Sequence, residues 1–248
     1  MKTFMKMFKI EFRLSLRGID MFIFAICMPV VVMLIIGMIY GNKSIDGNEG
    51  YTMLDQAFPA ISTIAVCAGG VMGLPLVVSD YRNKRILKRF KVTPVKPSMI
   101  LAVQVGIYTV YAFVSLILVH LTASLFFQFR FKGNYLYFTG AYLLTLISML
   151  SLGMMVGGIS SNVKTAGVLA SVLYFPMLIF SGATLPYEIM PEGLQKIVNV
   201  LPLTQGIKLL KAVSLNQSVD SIVTPVVVML VVSAICIFIS IRFFRWNS

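Results

Sequence analysis

Along the chain, apolar stretches of membrane-crossing length alternate with short polar breaks. Six stand out, near residues 21–40, 57–78, 99–127, 135–159, 165–183 and 222–244. Each reaches the ~20 residues that a helix needs to cross the hydrocarbon layer. The third is longer than required, which predicts a tilt or a start outside the membrane. Only Ser160-Ser161-Asn162-Val163-Lys164 parts the fourth from the fifth, which predicts a tight helix–helix turn. The expected fold is an all-α integral membrane protein, a single domain over residues 1–248 with six transmembrane helices.

Residues 1–18 follow a different pattern. Met1, Met5, Phe8, Phe12, Leu16 and Ile19 recur at helical spacing, and Lys2, Lys6, Lys9, Arg13 and Arg17 form a parallel ridge. This suits an interfacial helix with cations facing anionic lipid, and equally an ordinary positive flank that fixes orientation. The basic region is too long for a cleavable signal peptide, and no small-residue cleavage site follows the first span.

The break between the second and third spans, residues 79–97, is short and strongly basic. Ile86, Leu87 and Phe90 share one narrow sector of a helical wheel. Arg82, Lys84, Arg85, Lys88, Arg89 and Lys91 fill most of the rest. Thr93-Pro94 and Pro97 end the pattern, because proline lacks the amide hydrogen and drives its predecessor towards extended geometry. The expectation is one short amphipathic helix at a membrane surface.

Composition strengthens the membrane reading. The chain is 58% hydrophobic and 12% charged, with mean hydropathy +0.90; soluble domains are roughly 25% charged. The formal net charge of +12 could suggest nucleic acid, but its placement argues otherwise. With six spans both termini share one side, and that side holds fifteen of the Lys and Arg residues against six on the other. Acids divide three to six, so the first side carries the whole +12 and the second is neutral. The positive-inside rule then places both termini in the cytoplasm of a multi-pass plasma-membrane protein, with no nucleic-acid role.

Candidate chemistry is sparse. Cys27, Cys67 and Cys236 fall in apolar runs and read as packing residues. No spacing suggests a metal or catalytic site, and no phosphate-binding loop is present, so no cofactor is expected on this chain. Within the spans, Gly69-x-x-x-Gly73 and Gly153-x-x-x-Gly157 leave room for close helix approach, and Pro29, Pro75 and Pro176 predict kinks. His120 and Gln104 are the main polar residues of the third span. A neutral interfacial histidine and a proton relay are the two readings of His120. Phe126, Phe127, Phe129, Phe131, Tyr135, Tyr137 and Phe138 bracket the next loop as an interfacial belt or a hydrophobic exit.

Residues 184–221 are too apolar for a free loop and too broken for one span. Leu194, Ile197, Val198 and Leu201 fall at i, i+3, i+4 and i+7, with Pro191 near a helix start and Pro202 expected to end it. A second amphipathic piece runs from Ile207 to Val213. These are two short helices, either folded back into the outer leaflet or lying on its surface.

Two motifs carry a family resemblance. The basic loop ends in Arg89-Phe90-Lys91-Val92-Thr93-Pro94 after the second span. After the fifth come Phe180-Ser181-Gly182-Ala183-Thr184-Leu185-Pro186, Met190-Pro191 and Leu201-Pro202-Leu203-Thr204. Together they resemble the membrane subunits of type-2 ATP-binding-cassette exporters, the ABC-2 permeases, over nearly the whole length, with the drug- and antibiotic-export members nearest. The resemblance implies a coupling helix docked in a cytosolic ABC ATPase, formed by Arg82, Arg85, Ile86, Leu87, Lys88, Arg89 and Phe90 and ended by Thr93 and Pro94. It implies a re-entrant external gate around Pro186, Pro191, Leu194 and Pro202. It further implies efflux of an amphipathic or hydrophobic substrate, with ATP and Mg bound by two ATPase subunits and the pore completed by a second copy or a sister permease. Many relatives carry acids and a Gly-Thr pair in that helix, where this chain has Lys84-Arg85-Ile86 and Lys88; a more acidic receiving cleft is expected.

Two other classes are weighed against this one. A motor-independent transporter or channel usually needs ionisable groups in its spans, and here only His120 and Gln104 offer footing. A membrane-embedded enzyme needs a nucleophile–base or metal constellation, and none is visible.

Overall fold

The structure, a computed structural model, describes residues 2–40, 51–84, 97–184, 190–217 and 220–243. All of their regular elements are helical. Helix α1 spans Lys2–Arg17, followed by α2 (Ile19–Phe22), a π-helical turn π1 (Ile23–Cys27) and α3 (Met28–Tyr40). Helix α4 (Met53–Cys67), π2 (Ala68–Gly73) and α5 (Leu74–Asn83) form the second span. The rest are α6 (Pro97–Phe127), α7 (Tyr135–Ile159), α8 (Val163–Phe180), α9 (Glu192–Val198), α10 (Pro202–Ser214) and α11 (Asp220–Phe243). Among the described residues, six stretches are long and apolar enough to cross a membrane, and each overlaps one of the six expected runs.

Local chemistry sets the helix ends. Thr52 and Asp55 form a reciprocal capping box at the start of α4. Asn134 caps α7, accepting from the Leu136 amide at 2.8 Å, and Asn162 caps α8 through the Thr165 amide at 2.9 Å. The tight turn expected between the fourth and fifth spans is therefore real, and Asn162 makes it.

The second span is longer than expected, Met53–Asn83 instead of 57–78. The sequence puts Asp55 in the preceding loop and Tyr81 and Arg82 in a separate amphipathic helix, yet each finds a partner inside the protein and continues the second span. The fifth span stops at Phe180 instead of 183, because Ser181 caps it and Gly182 turns left-handed at φ 95°.

Both π turns stand just before a proline. Pro29 and Pro75 have no amide hydrogen to give to the carbonyls of Ala25 and Val71, which lie in π1 and π2. The ladder opens to wider spacing in the preceding turn instead of breaking.

Buried residues make up 83% of the apolar stretch of the second span and 67% of the fourth, against 22–28% in the other four. The second and fourth spans are therefore the centre of the bundle. They cross on glycine: a Cβ on Gly153 would overlap the Gly70 carbonyl, and one on Gly157 would stand 2.9 Å from Val78 Cβ. Gly69 and Gly73 face elsewhere, towards Tyr108 of α6, at 3.1 and 2.8 Å. The two glycine pairs read from the sequence thus serve two interfaces, and Gly70, outside either pair, is the residue that meets Gly153.

Polar groups pin the rest. The fully buried Tyr142 donates to the Ala112 carbonyl at 2.8 Å, joining α7 to α6. Ser148 bonds Ser233 at 2.6 Å and the Met229 carbonyl at 3.0 Å, joining α7 to α11. Helix α1 lies along α6 through a ladder of Phe4, Phe8 and Phe12 that ends on Tyr111. Met5 and Leu16, expected on the same apolar stripe, are exposed.

Candidate functional site

At the end of the bundle that carries the basic segment, α5 runs through Arg82 before the described chain stops at Lys84 and resumes at Pro97. Arg85, Ile86, Leu87, Lys88, Arg89, Phe90, Thr93 and Pro94 lie outside the described residues. Arg82 is 7% exposed, and its Nη1 donates to the Gly158 carbonyl at 2.7 Å. That carbonyl belongs to the last turn of α7, where helix oxygens lack an internal partner. Lys84, two residues on, forms an exposed i,i+4 pair with Asp80 at 2.8 Å. Arg82 thus ties the second span to the fourth.

The two helices that flank residues 85–96 are also clasped together. Glu11 of α1 accepts from the Tyr81 hydroxyl of α5 at 2.5 Å and from Gln104 Nε2 of α6 at 3.2 Å. Gln104 also donates to the Tyr81 oxygen at 2.9 Å, which closes a triangle across three elements. Ser15 and Tyr111 meet at 3.0 Å one turn along. Hydrogen bonds to a carboxylate are about twice as strong as neutral ones, and here they are partly shielded from water. Glu11 and Tyr81 were not picked out by sequence reasoning. The available signal was Gln104, a buried amide in an apolar span that required a partner.

At the opposite end, Pro191 is the N-cap of α9 and Leu194 is half-buried; Pro186 lies outside the described residues. Pro202 does not end the first short helix as expected. It opens the second, standing in the first turn of α10, where a missing amide hydrogen costs nothing. The first helix ends earlier, at Asn199, leaving Ile197 and Val200 exposed.

Helix α10 is the buried member of the pair and packs among α4, α7 and α11. Gly206 fits so closely that a Cβ there would lie 2.6 Å from the methyl of Thr145. The last turn of α10 returns to the rim, where Gly133 faces the Val213 carbonyl. A small polar cluster fixes that rim. Lys132 Nζ pairs with the buried Asp55 at 2.8 Å and stands 4.9 Å from the centre of the Tyr51 ring. Tyr51 donates to the Leu215 carbonyl, and Asn216 donates to that of Lys132.

The aromatic group near this rim divides in two. Phe129, Phe131 and Phe138 close around Phe58, with His120 edge-on to Phe58 at 5.6 Å and to Phe129 at 6.0 Å. Phe126, Tyr135 and Tyr137 are exposed, as a belt requires.

These features define a multi-pass helical membrane protein, with a polar clasp at one end and a buried short helix at the other. The family model described as ABC-2 type transporter matches residues 2–215, and the chain belongs to that family. It is similar to nodulation protein J of Neorhizobium galegae, 31% identical over 101 residues. That match spans 41% of this chain and 36% of the relative, so it covers about a third of the relative's length.

Proposed function

We propose that this chain is the permease subunit of an ABC exporter, moving an amphipathic or hydrophobic substrate such as a drug, antibiotic, peptide or lipid out of the cytoplasm. ATP and Mg are bound by a cytosolic ATPase present in two copies, and a second copy or a sister permease completes the path. The basic end faces the cytoplasm, with both termini on that side of the plasma membrane. The single observation that carries the reading is family membership across residues 2–215. The clasp at the basic end supports its mechanical part.

Closure of the ATPase pair displaces the segment that docks into it. Glu11, Tyr81 and Gln104 bind the two helices on either side of that segment to each other and to α1. A push on residues 85–96 therefore moves α1, α5 and α6 together as a rigid body. Arg82 passes the movement to α7 through Gly158. The apolar residues Ile86, Leu87 and Phe90 anchor docking, while Arg85, Lys88 and Arg89 steer it and Thr93-Pro94 stiffen its end.

At the far end α10 acts as a re-entrant gate. Gly206 sits beside Thr145, ten residues into α7, which is roughly 15 Å below the start of that helix. That depth is about half of the hydrocarbon layer.

Co-reconstitution of the permease with its ATPase in liposomes tests the reading. Phe90→Ala, or Arg85→Glu with Arg89→Glu, should abolish ATP-driven export and leave membrane insertion unchanged. Normal coupled transport in both variants would remove the docking role. Uphill transport by the permease alone would remove the motor-driven reading altogether.

A further inference from the structure

Helix α1 turns one face to the bundle. Phe8 lies against Gly106, Phe12 against Tyr111, and Glu11 and Ser15 bond Gln104 and Tyr111. Lys6, Lys9, Arg13 and Arg17 fall on the opposite side, within about 80° of one another around the helix. All four are exposed, and among the described residues none of them makes an ion pair or a hydrogen bond. Glu11 is the one acid in α1, and it points inward to Tyr81 and Gln104. The outward face of α1 therefore has no carboxylate of its own.

Apolar side chains border this ridge. Met5 and Leu16 lie on one flank, Ile10 and Leu14 on the other, and each is at least half exposed. Water does not favour four large apolar side chains set beside cations. The boundary between head groups and acyl chains does, because apolar side chains enter the acyl layer while Lys and Arg stems reach back to the head groups.

The depth of α1 follows from its contacts with α6. That helix has 31 residues and is roughly 46 Å long, more than the ~30 Å hydrocarbon layer. Its C-terminal end carries the exposed Phe126 of the aromatic belt. Counting back about 20 residues from Phe127 puts the other edge of the layer near Ile107. A tilt of about 30° moves that edge only to about Gln104. Gln104, Gly106 and Tyr111 are the residues of α6 that meet α1. The ridge is thus held at head-group level.

We propose that Lys6, Lys9, Arg13 and Arg17 bind the phosphate groups of anionic lipids, with the flanking apolar side chains seated at the acyl boundary. Ammonium and guanidinium groups give phosphate oxygens charge-assisted hydrogen bonds. An acidic protein surface would match the charge, but neither the apolar flanks nor the depth. Glu11 joins α1 to α5 and α6, so lipid held on the ridge also steadies the clasp.

The test uses the full chain alone in nanodiscs, without ATPase or nucleotide, so it can fail while the export reading stands. Spin-labelled phosphatidylglycerol and phosphatidylcholine report which lipid the protein retains, and hydrogen exchange reports on α1. Each basic side chain near an anionic surface contributes about a fivefold preference. Phosphatidylglycerol should therefore be preferred by about fivefold or more, and should slow exchange in α1 severalfold. Changing all four cations to Gln should abolish that slowing. The milder pair Lys9→Gln with Arg13→Gln should lose about half of it, which guards against misfolding of the fourfold variant. Arg85→Gln, Lys88→Gln, Arg89→Gln and Lys91→Gln together remove the same charge elsewhere and should leave the slowing of α1 intact. Equal retention of the two lipids overturns the proposal. Slowing that survives the α1 substitutions, or that disappears equally in the second fourfold variant, does the same. Inorganic phosphate that slows α1 as much in pure phosphatidylcholine replaces the lipid by any phosphate anion. Slowing seen only when the partner ATPase is added assigns the ridge to that protein, and either result overturns the lipid.

Discussion

The carbonyl of Gly70 stands where a side chain on Gly153 would have to be. At this point the second and fourth spans, the two most buried in the bundle, touch backbone to backbone. Helices inside a membrane gain little from hydrophobic burial against each other, so close packing of small residues carries much of their association.

Gly153→Ala should therefore cost about 1–3 kcal/mol through overpacking. The Tm in detergent should fall by roughly 2–4 °C for each kcal/mol. Gly140→Ala, on the same helix with nothing within 4 Å of its added methyl, is the control. It should be neutral or slightly stabilising, since alanine is about 1 kcal/mol better than glycine in a helix. Equal melting of the two variants would show that the crossing is looser than described.

Arg82 and Lys84 are both cations of the basic segment, but their roles separate. Arg82→Ala leaves the Gly158 carbonyl without its partner and should cost about 1–3 kcal/mol. Lys84→Ala removes an exposed pair with Asp80 and should change stability by less than about 1 kcal/mol. Thermal melting of the two variants side by side decides this, and the reverse order would contradict the burial of Arg82.

The Glu11 clasp predicts coupling between two distant positions in the chain. Glu11→Gln and Tyr81→Phe should each speed hydrogen exchange in α1. The double variant should do so by less than the sum, because both remove one shared bond. Strict additivity would mean that the two residues do not act on each other.

At the opposite rim, Lys132→Met leaves the buried Asp55 carboxylate without its ion pair. The expected loss is about 1–3 kcal/mol. Adding Asp55→Asn should recover part of it, since the amide needs no counter-charge while still accepting from the Thr52 amide. Calorimetry of the three variants measures the recovery.

What could be read without coordinates was whatever depends on neighbours along the chain. All six spans were placed, and so was the Asn162 turn. The second span was cut short at both ends because Asp55 reads as part of the preceding loop, and Tyr81 and Arg82 as part of a separate basic helix, until their partners are known. Pro202 was misplaced for a related reason. A proline that interrupts an apolar pattern can close one helix or open the next, and only the buried Leu203–Gly206 turn chooses between them. The candidate site was partly legible: Gln104 was noticed, but its partners Glu11 and Tyr81 lie 93 and 23 residues away.

The amino-acid order alone settled that this chain lives in lipid, how many times it crosses, and where its cations gather. Each of those follows from length and polarity over about twenty consecutive residues. Tertiary structure decided which spans sit at the centre, which glycines meet, and that Arg82 is buried beside Gly158. These depend on which helices become neighbours, and that is settled by packing between residues far apart in the chain.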